Sequence, residues 1–118
     1  MDTSGNLIAN IEDAIINTFF EAEGMGIHHD KLFIIDEKNF TTHFKKKIVN
    51  VINECIQKDK TITLQAMSIA DKCKGTQYEY DMLNILSQNP LTIKMAKDYH
   101  SYLAEKRIER EIRKNAWA

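Results

Sequence analysis

A single proline, Pro90, and four glycines in 118 residues leave this chain short of the turn formers that a strand-rich fold needs every ten residues or so. Such a chain has helices as its natural building material. Hydrophobic residues make up 43% of it, enough for one packed core, and the length is too small for two ordinary domains. The expectation is one all-α domain, residues 1–118: a bundle of about five to six helices, with a head over about residues 6–103 and an extended C-terminal helix over about residues 93–115.

The apolar spacing supports this. Leu7, Ile8, Ile11, Ala14, Ile15, Thr18, Phe19 and Ala22 recur at three and four, the signature of one helical face, with Ser4 or Asn6 to cap the helix and Gly24 and Gly26 to end it. From Gly24 to Phe40 the period is lost, and Leu32-Phe33-Ile34-Ile35 reads equally as a turn of helix or a buried extended segment. A second helix runs from about Thr42 to Lys58, burying Phe44, Ile48, Val51, Ile52 and Cys55, with Lys45, Lys46 and Lys47 beginning its wet side. Thr63 is expected to cap a short third helix buried through Leu64, Met67, Ala70 and Cys73, and Gly75 to end it. Thr76 and Glu79 form a T-x-x-E start for a fourth, buried through Met82, Leu83, Ile85 and Leu86. Asn89-Pro90 interrupts the pattern, and Thr92 can cap the last helix.

That last helix buries Ala96, Tyr99 and Leu103 in its first half. Beyond Glu105 its apolar residues narrow to Ala104, Ile108 and Ile112, a stripe one side chain wide, which suits a seam between helices better than a globular core. Ile108, Ile112 and Trp117 are therefore the candidate oligomer interface. The flanking charges include the i,i+4 pairs Glu109 to Arg113 and Arg107 to Glu111, each worth a few tenths of a kcal/mol.

Catalytic signatures are missing. The glycines are Gly5, Gly24, Gly26 and Gly75, none in a G-x-x-x-x-G-K-[ST] loop, and no G-x-S-x-G, H-E-x-x-H or C-x-x-C occurs. No catalytic residue, cofactor or metal is expected. His28, His29 and Asp30, with His43 or His100 brought in by the fold, are the one ligand-like group, but a solvated loop is the better reading of adjacent histidines. Cys55 and Cys73 read as reduced, buried thiols. Net charge is −1, with six acidic residues and no Lys or Arg in residues 1–30. That balance does not describe a strongly basic nucleic-acid binder, and Lys45, Lys46 and Lys47 offer at most weak phosphate contacts. The absence of an apolar run of membrane length and of a secretion signal points to the cytoplasm.

The order of pieces carries a resemblance. Asp36-Glu37-Lys38-Asn39-Phe40 leads into Ile48-Val49-Asn50-Val51-Ile52, then come Ile62-Thr63-Leu64-Gln65-Ala66-Met67, a helix over Met82 to Leu86, Pro90, and a tail through Tyr99, Tyr102, Leu103, Lys106, Arg110 and Ile112. Over residues 8–113 this resembles the N-terminal domain of DnaB-type replicative DNA helicases. It departs from that pattern at Lys45, where the family often has His, in the Pro90 to Tyr99 spacing, and in the first loop. The resemblance implies a non-catalytic head followed by the first arm of a helical hairpin that pairs with another subunit. It also implies a collar that recruits primase beside a helicase motor domain, in a parent protein that is an ATP-dependent helicase. The helicase-binding domain of primase has a similar fold and is the alternative; Phe40 and the tail to Arg110 favour the helicase. A different alternative is a small helical nucleic-acid binder using Lys45 to Lys47 with Lys94, Lys97 and Arg107.

Overall fold

Among the described residues five helices form where the periodic runs fall: α1 (Thr3–Glu21), α2 (His43–Gln57), α3 (Ile62–Cys73), α4 (Glu79–Leu86) and α5 (Ile93–Ala116). The computed structural model describes the backbone of residues 3–116 and the side-chain surroundings of residues 6–115. Short 3-10 turns lie at His29–Lys31 and Glu37–Asn39, and there is no strand among the described residues. The fold is all-helical and ends in the expected long helix.

Helix ends follow local chemistry. Past α1, Ile27 N–H bonds to the Ala22 carbonyl and Gly26 N–H to that of Glu23, with Gly26 left-handed at φ 76°, which is a Schellman closure. The end of α2 uses the same i−5 bond, Lys60 N–H to Cys55 carbonyl, but seats Asp59 at φ 52° where glycine is the unstrained choice. Thr92 accepts the N–H of Met95, the expected cap, and Thr42 caps α2 in the same way by accepting the N–H of Lys45. Thr63 is not a cap. Thr61 precedes α3 without a side-chain bond, and the Thr63 N–H is met instead by the Glu23 carboxylate at 2.6 Å. Thr76 and Glu79 do not pair as a box either. Gly75, at φ 74°, makes a tight turn after Cys73, in which Thr76 Oγ1 accepts from Tyr78 N–H and Glu79 Oε2 from Gly75 N–H.

The core is centred on α1, which touches each of the other four helices. A helix in that position is covered nearly all round. Ile15, Ile16, Phe19, Phe20 and Ala22 are buried, and so are Glu12, Asp13, Asn17 and Thr18. Buried polar groups need partners. Asn17 Nδ2 donates to the Gln88 carbonyl at 2.6 Å, and Thr18 Oγ1 accepts from Leu91 N–H at 2.8 Å, so α1 holds both sides of Pro90 in place.

Leu32-Phe33-Ile34-Ile35 is not helix: it has no regular structure, and Leu32 at its start and Asp36 just past its end are extended. Asn53 of α2 satisfies its backbone at Ile35: the amide donates to the Ile35 carbonyl (2.6 Å) and accepts from the Ile35 N–H (3.2 Å), as a neighbouring strand would.

Three burial expectations are corrected. The inner side of α3 is Ile62, Ala66 and Cys73, while Leu64 and Met67 are 63% and 64% exposed. On α4, Met82 and Ile85 face in, and Leu83 and Leu86 face out. Leu7 and Tyr99 also lie at the surface. Each of these helices carries apolar residues on two sides, and the rotation that buries one leaves the other in water.

Candidate interaction surface

The 24 residues of α5 make a rod about 36 Å long at 1.5 Å per residue, which spans most of a molecule measuring 44 × 35 × 23 Å. Its first half is anchored by the buried Ala96 and Leu103 and by His100. Past Leu103 no residue of the helix is fully buried through Asn115. Ala104 is half-buried, and Ile108 and Ile112 stand 47% and 62% exposed on one side. Trp117, the third residue of the expected seam, lies outside the described residues. Glu109 pairs with Lys106 (3.3 Å) rather than with Arg113, and Arg107 lies 3.9 Å from Glu111. Ile108 and Ile112 stay open beside these pairs.

The lysine run divides three ways, which corrects its reading as one wet side. Lys45 is buried, its ammonium 3.0 Å from Glu12 and 3.1 Å from Asp13, so it offers nothing to a phosphate. Lys46 reaches the Glu37 carbonyl at 3.1 Å, and Lys47 is exposed. The cause is the central position of α1, which leaves Glu12 wholly buried and needing a cation. Thr41 completes its shell, donating from backbone N–H (2.6 Å) and hydroxyl (2.9 Å). Asp13 is less well served. Burial raises its carboxyl above the ordinary 3.8, against the pull of Lys45 and with the repulsion of Glu12 and Asp81.

The histidines separate as well. His29 Nδ1 lies 3.2 Å from Asp59, at the end of α2, beside an open cleft that also contains His28 and Asp30. Among the described residues no group of three or more His, Cys, Asp or Glu is placed to hold a metal ion. His100 is a tether: its Nε2 accepts from Asp36 N–H at 3.0 Å and lies 3.1 Å from Asn39 Nδ2, with Phe33 and Phe40 against the ring. Burial holds it below the ordinary 6.5, although Asp36 pulls the other way. Cys55 and Cys73 are free, buried thiols that burial raises above the usual range, unsuited to nucleophilic work. No helix among the described residues is long and apolar enough to cross a membrane.

Sequence reasoning missed the outer side of the head. Leu64 and Met67 on α3, with Tyr80 and Leu83 on α4, expose apolar side chains on consecutive helices. The hydrophobicity of Leu64, Met67 and Leu83 was visible but pointed to the core. Comparison with known protein families, curated proteins and solved structures finds no match to this chain.

Proposed function

We propose that this chain is a non-catalytic protein-interaction domain of the replicative-helicase N-terminal kind, which self-associates through α5 and presents its head to a partner such as primase. The observation that carries the reading is the exposed stripe of Ile108 and Ile112 on the part of α5 past Leu103, where no residue through Asn115 is fully buried. Two such stripes brought together remove apolar surface from water at about 25 cal/mol per Å². They do so in the narrow geometry of a helix-to-helix seam. Leu64, Met67, Tyr80 and Leu83 are further exposed apolar side chains of the head, available for docking. The motor domain and primase enter this reading from the resemblance alone.

Mass by light scattering across concentration tests it. The wild-type chain is expected to rise in mass, and the Ile108→Asp/Ile112→Asp variant to stay monomeric with unchanged helicity. A wild-type chain that remains monomeric at high concentration removes the assembly role, and equal association by the variant moves the interface elsewhere.

A further inference from the structure

Beyond this role, one cleft has a charge pattern that the assembly function does not use. The far half of α5 lies over the turn at Glu37–Asn39 and the start of α2, and between them is an open cleft of about 420 Å³. Lys38 and Lys46 form one wall, Arg107, Arg110 and Lys114 the other, and Glu111 is the one acidic residue lining it. The chain as a whole carries −1, so this concentration of cations is local.

Their positive charge is poorly neutralised. The Arg107 guanidinium has no carboxylate within hydrogen-bond reach, Glu111 being 3.9 Å away, and its Nε is shielded from water with no partner. Lys46 bonds to a carbonyl and not to a carboxylate. Five cations held near one another with a single carboxylate among them repel, and an anion in the cleft relieves this.

We propose that this cleft binds the phosphodiester backbone of single-stranded nucleic acid, without reading its bases. Along α5 the cations at 107, 110 and 114 are spread over about 10 Å, at 1.5 Å per residue, with two more facing them. A strand presenting phosphates at intervals matches cations strung along a helix in this way better than a single phosphate group does. Arginine forks match phosphate oxygens in pairs. The cleft exposes no aromatic ring on which a base could stack, Phe40 being 1% exposed, and the N–H and hydroxyl of Thr41 both bind Glu12. Nor does the assembly seam cover it. By helical rotation of 100° per residue, the 107/110/111/114 side and the 108/112 side of α5 point about 130° apart.

The test is fluorescence anisotropy with a labelled oligothymidylate of about twenty nucleotides, using the full chain. Binding is expected to weaken about fifty-fold between about 50 and about 200 mM salt if roughly four phosphates are engaged. Arg110→Glu/Lys114→Glu on one wall, and separately Lys38→Glu on the other, each weaken it at least about tenfold, with helicity and light-scattering mass unchanged. Lys94→Glu/Lys97→Glu, near the start of the same helix, leaves it unchanged. No binding at low salt, equal loss in the Lys94/Lys97 control, or equally tight binding of an acidic peptide of the same charge overturns the proposal. The last outcome would assign the cleft to an acidic protein segment.

Discussion

Lys45 stands between two carboxylates of the central helix, and the energetics depend on which of the three groups is removed. Taking one partner from a buried ion pair leaves an uncompensated charge and costs about 3–5 kcal/mol. Lys45→Met should therefore lower unfolding stability by that amount in urea denaturation. Adding Glu12→Gln to it should recover part of the loss, because the stranded carboxylate is gone. His100 makes a prediction in pH. It accepts the Asp36 N–H through Nε2, so the fold needs the neutral ring, and its folded value lies below the unfolded 6.5. Below 6.5 the unfolded chain binds the proton more readily than the folded one. The contribution of His100 is complete above 6.5 and is lost as pH falls through the folded value. Thermal midpoints measured from pH 7.5 to 5.5 should fall for the wild type and fall less for His100→Gln, whose amide oxygen can still accept the Asp36 N–H. Asp13 acts with the opposite sign: its raised value makes its contribution greatest below 3.8 and removes it as pH rises through the folded value. The difference between wild type and His100→Gln isolates the histidine.

Whole helices were more legible in the sequence than their rotations. The three-and-four spacing placed α1, α2 and α5, because one side of each is plainly richer in apolar residues or bounded by charge. In α3, Ile62, Ala66, Ile69 and Cys73 form one stripe, and Leu64 and Met67 begin another. Local spacing cannot choose between them, since the choice depends on where α1 and α2 lie. The buried Lys45 was hidden for the same reason: its partners are 33 and 32 positions earlier in the chain, and only the central placement of α1 brings them to it. The two α3 stripes are separable by experiment. Ile62→Ala should cost about 2–5 kcal/mol, as large-to-small changes in a core do. Leu64→Ser/Met67→Ser should cost about 1 kcal/mol or less, as surface changes usually do. Denaturant midpoints with unchanged slopes report both, and a large loss in the double variant would put that stripe back in the core.

At the scale of the molecule, α1 holds a packed head together while α5 continues beyond what the head can cover. The sequence showed that stripe narrowing after Glu105, and the same residues, Ile108 and Ile112, are exposed in the folded chain. The cleft beside it was legible only in part. The helical spacing of Arg107, Arg110 and Lys114 is written in the sequence, but Lys38 and Lys46 join them through a chain reversal that spacing does not encode. On the proposed function, the apolar side of α5 over residues 106–115 finds its partner in a second chain. Amide hydrogen exchange at low and high protein concentration tests it most directly, since protection reports local opening segment by segment. Protection of residues 106–115 is predicted to rise with concentration while that of α1 stays constant. Identical exchange of that segment at both concentrations would contradict the claim.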